Sequence, residues 1–376
     1  MKRKSKIVAF YLLTVLMALG IIVFSSDYIE YRKNYREFQE FLIQKNQGVI
    51  NEKEINNEDE DNLEQQPTAN IQVSQNIQNN NDMDAILSNA HIIEDASGNV
   101  CWEPNTISQS SIDKIRMYVS ERESVYAWDD AYEKTKRINE LDQLILTEAN
   151  VTFPNVEINF IGDSITEGVG GNVDADGNTI SYVNYVQNIL HFKRVINNGY
   201  GGRMFADYTG DANYSIIMAD KRLLDRKCEV TVYYAGLNDY LTPLEKKDFG
   251  TLDSWSTAGY CGELLPYMNS LGEEFPHMDF FFVTAYPCSE EDLSTEVVGF
   301  SGEKPLLNDY LEQQRILAAR NGYHVIELYN IGFMDANNSM IKANYMSDNV
   351  HPNDEGYQIL GNHIATEIVL YYLGIE

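Results

Sequence analysis

The stretch EINFIGDSITEGVGG, residues 157–171, begins with apolar residues and then places a serine, Ser164, between glycines. The apolar part predicts a buried β-strand, and the part that follows predicts a turn into a helix. Ser164 and Glu167 have the spacing of a capping box, in which two side chains satisfy the free amides of a helix start. A strand-to-helix turn also suits a reactive serine, because helix amides stabilise negative charge there. This stretch alone leaves two interpretations of Ser164 open, a helix cap and a nucleophile.

Strand-like apolar runs alternate with helix-like segments from about residue 156 to the end of the chain. The runs are VEINFIG, FKRVINNG, EVTVYYAG, MDFFFVTAYP and YHVIELY. Runs that are apolar on both sides and separated by helices indicate a parallel sheet that is covered on both faces. The predicted fold class is therefore α/β, a three-layer α/β/α sandwich. Ligands of such folds bind at the carboxyl ends of the strands, so the residues just after each run are candidates for a site.

Glycines and polar residues occupy these positions and also precede the last predicted helix. They are Gly162, Asp163 and Ser164 after the first run, Asn197, Gly199 and Gly202 after the second, Gly236, Asn238 and Asp239 after the third, and Asp348 and His351 before the last helix. Each set has a structural explanation, because glycine and asparagine form turns, aspartate caps helices and a single histidine usually lies on the surface. Those explanations do not account for the four sets occurring together in this order.

The four sets resemble the sequence blocks of the SGNH hydrolases, a branch of the GDSL esterase and lipase superfamily. The blocks here are GDSIT, NNGYGG, GLND and DNVH, and the resemblance covers roughly residues 156–372. GDSIT has an isoleucine where the family's name has a leucine, and DNVH matches the Asp-x-x-His of the last block. The resemblance implies a flavodoxin-like sandwich, which agrees with the parallel sheet predicted from the apolar runs.

The resemblance also implies roles for particular residues. Ser164 would be the nucleophile as well as a helix-start residue, His351 the base that takes its proton, and Asp348 the residue that orients the histidine ring. The oxyanion hole would consist of the backbone amides of Ser164 and Gly202 and the side-chain amide of Asn238.

The composition excludes one class of partner. The chain has 376 residues, a formal net charge of −29 and 44% hydrophobic residues. A surface this acidic repels polyanions, so nucleic acid is not an expected partner. The apolar fraction is sufficient for a substantial core.

A cationic segment, MKRKSK, precedes an uncharged apolar run, IVAFYLLTVLMALGIIVF, at residues 7–24. At 1.5 Å per residue this run spans roughly 27 Å, close to the hydrocarbon thickness of a bilayer. We predict that residues 1–26 are a cytoplasmic basic stub and a single-pass transmembrane signal-anchor in the cell membrane, with the rest of the chain on the extracytoplasmic side. A cleaved signal peptide, which would give a secreted protein, is the alternative.

Three further segments are predicted after the anchor. Residues 27–100 begin with a short helix and continue as an acidic, Asn-rich tether, which is too poor in large apolar residues to become ordered. Residues 101–150 have apolar residues at three- and four-residue intervals, which predicts a helical extension that packs on the next segment. Residues 151–376 form the hydrolase domain that carries the four blocks.

No cofactor and no metal site are predicted. The segment NVDADGNTI resembles a calcium loop with Gly177 at the sixth position, but Val183 stands at the twelfth, where the loop needs a glutamate. We predict a polar hairpin-like insertion beside the site instead. The histidines other than His351 lie among no matching ligands, and no two of the four cysteines are spaced as metal ligands. At least two cysteines are expected to be free buried thiols.

The resemblance and the predicted location together imply a serine esterase that removes O-acetyl or other short acyl groups from envelope or extracellular carbohydrate. The nearest alternative is an O-acyltransferase of the same family, which would pass the acyl group to a sugar hydroxyl through the same serine. A lipase acting on long acyl chains would be expected to carry a lid-like apolar segment, which the sequence lacks. The alternative from another class is a non-catalytic surface module that uses the fold for binding.

Overall fold

The computed structural model describes residues 92–94, 100–102, 107–207, 210–241, 249–250, 252, 259–288 and 305–375. The predicted transmembrane run, the short helix after it and most of the predicted tether lie outside these residues. Among the residues that the structure describes, no helix is both long enough and apolar enough to cross a membrane. A short antiparallel hairpin, made by β1 (Ile92–Glu94) and β2 (Val100–Trp102), precedes the helices.

Five parallel strands form the central sheet. They are β3 (Glu157–Gly162), β4 (Arg194–Gly199), β5 (Val230–Tyr234), β6 (Asp279–Val283) and β7 (His324–Ile326). Their order is β4-β3-β5-β6-β7, and every neighbouring pair is parallel. Counted along the chain, this is the 2-1-3-4-5 order of flavodoxin-like folds. The predicted parallel sheet is confirmed, and each strand lies within one of the five predicted runs.

Helices cover both faces of the sheet. The helices are α1 (Gln109–Val125), α2 (Ala131–Ala149), α3 (Ser164–Glu167), α4 (Tyr182–Leu190), α5 (Ile216–Ala219), α6 (Leu237–Leu241), α7 (Gly259–Glu274), α8 (Leu307–Asn321), α9 (Ser339–Tyr345) and α10 (Asp354–Leu373), with a 3-10 turn at Asp220–Leu223. Every residue of β3 and β5 is buried. The connection from β3 to β4 runs across the sheet in one direction, and the connections after β5 run in the opposite direction. Because each crossover is right-handed, the helices of the first connection and those of the later connections lie on opposite faces of the sheet. Accordingly, α4 packs against α10, whereas α7 packs against α8.

The reversal of strand order creates the crevice in which ligands of this fold class bind. β3 lies between β4 and β5, and Gly162 at its carboxyl end pairs with Gly199 on one side and Tyr234 on the other. The three chain segments that follow these residues therefore leave the sheet side by side. They carry three of the four predicted sequence blocks.

The first two helices are joined to the hydrolase segment by buried charges. Arg122 of α1 lies 2.7 Å from a carboxylate oxygen of Asp142 in α2 and 2.6 Å from Glu367 in α10. The other carboxylate oxygen of Asp142 lies 2.8 Å from Nδ1 of His363 in α10. α1 and α2 pack on each other, and α2 packs on α10.

A hairpin follows α3, as predicted. Val173 and Thr179 pair across it as an antiparallel bridge. At its tip the carboxylate of Asp174 accepts hydrogen bonds from the amides of Asp176 and Asn178, both at 2.9 Å. This acidic turn is closed by its own backbone amides.

Candidate active site

The turn from β3 into α3 presents Ser164 at the first position of the helix. Asp163 is the residue that caps this helix, because its carboxylate accepts the amide of Ile165 at 2.9 Å. The interpretation of Ser164 and Glu167 as a capping box is therefore wrong. Asp163 precedes the serine and takes the capping position in extended backbone, so the Ser164 hydroxyl is not used to cap the helix.

Hydrogen bonds connect Ser164, His351 and Asp348 in one line. Ser164 Oγ lies 2.9 Å from Nε2 of His351, and Nδ1 of His351 lies 2.8 Å from Oδ2 of Asp348. A histidine held in this way can take a proton from the serine at one nitrogen while the carboxylate stabilises the positive ring through the other.

The carboxylate of Asp348 is fixed by the loop that carries it. Its Oδ1 accepts the amides of Val350 at 2.7 Å and of His351 at 2.6 Å. Burial raises the pKa of Asp348, but the hydrogen bonds from His351 and Val350 outweigh it and hold that pKa below its ordinary value. Asp348 therefore remains ionised at neutral pH.

The loop itself is held by residues that the sequence interpretation did not identify. The carbonyl of His351 accepts two hydrogen bonds from Ser347, one from the amide at 2.8 Å and one from the hydroxyl at 3.0 Å. The hydroxyl of Tyr286 donates to the carbonyl of Val350. Tyr286 follows β6 at the carboxyl edge of the sheet, so its position after a strand is the one signal that could have drawn attention to it.

The second block packs directly on α3. A Cβ atom at Gly199 would lie 2.2 Å from the backbone nitrogen of Glu167, so the turn requires glycine there. The amide of Tyr200 donates to the carbonyl of Gly162 at 3.1 Å. Gly202 follows with a φ of 75°, in the left-handed region. The turn that carries Gly202 is thereby fixed against the strand and helix that carry Ser164.

The third block reaches the same crevice from the end of β5. The side-chain amide of Asn238 donates to the carbonyl of Arg203 at 3.1 Å and lies 3.4 Å from Oδ2 of Asp163. Asp239 is fully buried, and its carboxylate accepts the amides of Phe205 at 2.8 Å and Ala206 at 3.0 Å. Asn238 is thus placed beside the first block, and Asp239 holds the loop that continues from Gly202.

The five predicted site residues fall into two groups. Ser164, His351 and Asp348 are joined by hydrogen bonds, as described above. Gly202 and Asn238 come together through Arg203, which follows Gly202 and accepts the hydrogen bond of Asn238. Within the described part of the chain, the backbone amides of Ser164 and Gly202 have no hydrogen-bond acceptor. Both amides are therefore free to bind a substrate oxygen.

A buried acid lies next to the serine. Burial raises the pKa of Asp163 to about 7, although the amide of Ile165 and the charge of His351 both act to lower it. Near neutral pH this carboxyl group is therefore only partly ionised, unlike Asp348. This difference between the two aspartates could not be predicted from the residues around them in the chain.

A family model for GDSL-like lipases and acylhydrolases matches residues 160–359. This match covers more than half of the chain, begins in β3 and ends in α10. The chain belongs to the GDSL-like lipase/acylhydrolase family. The resemblance seen in the four blocks is thus confirmed, and every residue of the predicted site lies within the matched range.

Several solved structures are similar to this GDSL-family chain at low sequence identity. A protein from Lactobacillus plantarum is 19% identical, with a TM-score of 0.45, over 57% of this chain and 95% of its own. A carbohydrate acetylesterase family member from Sinorhizobium meliloti is 18% identical, with a TM-score of 0.39, over 58% and 99%. An acetylxylan esterase from Geobacillus stearothermophilus is 19% identical, with a TM-score of 0.37, over 60% and 97%. No curated protein matches the chain significantly.

A metal site in this GDSL-family chain would need several ligating side chains that lie close together. Across the described ranges, no group of three or more His, Cys, Asp and Glu side chains is close enough to hold an ion. Cys228 and Cys261 are buried free thiols, which confirms the expectation for at least two of the cysteines.

Proposed function

We propose that this GDSL-family chain is a serine esterase in which Ser164 is the nucleophile, His351 the general base and Asp348 the residue that orients the histidine. The observation that carries this proposal is the line of two hydrogen bonds, 2.9 Å from Ser164 to His351 and 2.8 Å from His351 to Asp348. A surface module that only binds ligands has no need for this alignment at the ligand-binding edge of the sheet.

In the proposed reaction, Ser164 Oγ attacks the ester carbonyl carbon while its proton passes to Nε2 of His351. The bond to the alcohol then breaks, and His351 gives its proton to the departing oxygen, which leaves an acyl ester on Ser164. Water attacks this ester and loses a proton to His351, and the acid departs as Ser164 recovers its proton.

The negative oxygen of each tetrahedral intermediate needs hydrogen-bond donors that are already in place. The proposed donors are the amides of Ser164 and Gly202 and the side chain of Asn238, which follow three adjacent strands. Removing one such donor typically lowers kcat by roughly 10²- to 10³-fold. Asn238→Ala is the variant that tests a donor without changing the backbone.

The proposed substrates are O-acetyl or other short acyl esters of envelope or extracellular carbohydrate. Support for the location comes from the cationic segment and apolar run of residues 1–24, which favour export of the hydrolase segment and its attachment to the cell membrane. The same serine could pass its acyl group to a sugar hydroxyl in place of water. Hydrolysis and transfer differ only in which oxygen attacks the acyl-serine ester.

The test combines a covalent probe with substrates. Ser164→Ala should abolish both labelling by a fluorophosphonate and hydrolysis of a short-chain ester, with little loss of stability because Asp163 caps the helix. Ser124→Ala, at an exposed serine on α1, is the matched control and should behave like the parent. Full labelling of a folded Ser164→Ala protein would contradict the proposal. Acetate released with and without an added sugar acceptor distinguishes hydrolysis from transfer.

A further inference from the structure

Two half-exposed tyrosines lie against the glycine proposed as an oxyanion donor. Tyr200 and Tyr214 are each 37% exposed, with ring centroids 5.2 Å apart and ring planes at 78°. Two ring carbons of Tyr214 lie 3.6 and 3.7 Å from the point that a Cβ atom of Gly202 would occupy. The pair therefore borders the position at which an ester carbonyl would bind.

The tyrosine pair is held in place although it is not buried. The guanidinium group of Arg203 lies 5.2 Å from the centroid of the Tyr200 ring, a cation–π distance. Arg203 is itself fixed by donating to the carbonyls of Asn213, at 2.8 Å, and Asn198. Rings fixed in this way lose little freedom when a ligand stacks on them.

A carboxylate lies beside the rings. Glu167 is on α3, one turn after Ser164, and its Oε2 is 3.1 Å from the point that a Cβ atom of Gly201 would occupy. Among the described residues, no side chain donates a hydrogen bond to the carboxylate of Glu167, whereas Thr179 donates to its backbone carbonyl. This carboxylate can therefore accept hydrogen bonds from a ligand.

We infer that Tyr200, Tyr214 and Glu167 form a sugar-binding subsite that positions an O-acylated carbohydrate for attack by Ser164. This inference rests on the proposed function and names the alcohol part of its ester. In an O-acyl sugar, the ring carbon is two bonds from the carbonyl carbon, so the sugar ring must lie next to the oxyanion donors. The C–H face of a pyranose packs on aromatic rings, while its hydroxyls need acceptors such as a carboxylate.

A long acyl chain fits this surface less well than a sugar does. Burial of apolar area is the main free energy that an alkyl chain gains on binding. Here the exposed rings carry hydroxyl groups, and Glu167 would lose hydration without gaining a hydrogen bond from the chain. The chemistry of the surface therefore favours a ligand that presents both C–H groups and hydroxyls.

The experiment compares two acetate esters that share the chemistry at Ser164. One is an O-acetylated xylo-oligosaccharide, and the other is ethyl acetate, which has no sugar ring. Tyr200→Ala and Tyr214→Ala should each lower kcat/KM for the oligosaccharide by about three- to tenfold, mainly through a higher KM. Neither variant should change kcat/KM for ethyl acetate. Glu167→Ala should act in the same direction, and Tyr200→Phe and Tyr214→Phe should retain most of the oligosaccharide activity.

A control and an independent measurement complete the test. Trp128→Ala removes a 42% exposed aromatic side chain in the turn between α1 and α2. It should leave kcat/KM unchanged for both esters. The deacetylated oligosaccharide should inhibit ethyl acetate hydrolysis competitively in the parent and more weakly in the alanine variants. If the alanine variants lose kcat/KM equally for both esters, or lose none for the oligosaccharide, the proposed subsite is wrong. Failure of the proposed function would appear differently, as a parent protein that hydrolyses neither ester and does not react with fluorophosphonate.

Discussion

Asp163 and Asp348 are two aspartates near one histidine, and their surroundings give them opposite behaviour. The side chain of Asp348 is 54% exposed and accepts several hydrogen bonds, so it stays ionised. Asp163 is fully buried, and its pKa is raised to about 7. The first can stabilise a positive histidine, whereas the second shapes the turn before Ser164. Both roles follow from burial and hydrogen bonding, because the side chains are chemically identical.

The raised pKa of Asp163 predicts a pH dependence of stability. Between its ordinary value of 3.8 and about 7, the folded state retains a proton that the unfolded state has lost, so the free energy of unfolding falls as pH rises through this range. Asp163→Asn removes that dependence, and the parent should lose on the order of 4 kcal/mol relative to the variant between pH 4 and 7. Urea unfolding of both proteins at several pH values measures this difference. If the free energy of unfolding changes with pH equally in both proteins, Asp163 ionises normally in the folded state.

The hydrogen bonds that join Ser164, His351 and Asp348 predict how activity depends on pH. A neutral His351 is required as the base, so kcat/KM for a short ester should rise with pH as His351 loses its proton. Asp348→Asn removes a negative charge that favours the protonated ring, so the rise should move to lower pH and the rate should fall by about 10²- to 10⁴-fold.

Two further variants make the pH experiment decisive. His351→Ala should lose the rise with pH altogether, because no base remains at Ser164. His277→Ala, at an exposed histidine, is the control and should keep the parent profile. Measuring kcat/KM from pH 5 to 9 on one acetyl ester compares all four proteins. A parent-like rise in His351→Ala would remove this histidine from the mechanism.

At the level of elements, the segment after α3 determines where the last loop can lie. Gly170 has a φ of 91°, and a Cβ atom there would lie 2.2 Å from Ser347 Oγ and 2.7 Å from the carbonyl oxygen of Pro352. These two residues flank Asp348 and His351 in the chain. The absence of a side chain at Gly170 therefore allows the loop to bring His351 within reach of Ser164.

Gly170→Ala should displace this loop and lower kcat/KM for a short ester by about 10²-fold, because a shift of roughly 1 Å in a reacting group has an effect of that size. Gly177→Ala is the matched control, since Gly177 also has a positive φ, 86°, but a Cβ atom there would have no neighbour within 4 Å. Both variants carry the same backbone strain, so both should unfold somewhat more easily. Equal activity of the two variants in a steady-state assay would show that the contact with the loop does not matter.

The elements differ in how well the sequence predicted them, and the difference has a physical cause. β5 was predictable because a strand buried on both faces is mostly apolar, and β3 because Ile158, Phe160 and Ile161 lead directly into a glycine-containing turn. The cap of α3 was assigned to the wrong residue because Asp163 and Ser164 are adjacent and both side chains can cap a helix. The contact of Tyr286 with the 347–352 loop could not be predicted, because the two residues of that hydrogen bond are 64 positions apart and leave no local pattern.

At the scale of the whole molecule, the first two helices belong to the same folded unit as the sheet. The network of Arg122, Asp142, Glu367 and His363 joins α1, α2 and α10. Burial would lower the pKa of Arg122, but Glu367 and Asp142 raise it above its ordinary value by more, so the guanidinium stays charged. The sequence predicted that residues 101–150 pack on the hydrolase segment, but buried ion pairs between distant helices have no signature in the sequence of any one of them.

This network predicts a large stability effect without a direct effect on catalysis. Asp142→Ala removes the carboxylate that contacts both Arg122 and His363, which are buried. This loss should lower the free energy of unfolding by about 3 to 5 kcal/mol. His363 lies nine residues into α10, roughly 14 Å from the start of the helix beside His351. The folded variant should therefore keep the parent's kcat/KM for a short ester at temperatures well below its unfolding midpoint.

The control for this prediction is an exposed ion pair between the same two helices. Lys114 of α1 and Glu148 of α2 lie 3.1 Å apart, and the lysine side chain is 52% exposed. Glu148→Ala should change stability little, because water and salt already screen an exposed pair. Guanidinium unfolding of the parent and both variants measures the contrast. If Asp142→Ala unfolds at the same denaturant concentration as Glu148→Ala, the first two helices are not held to the hydrolase segment by the buried charges.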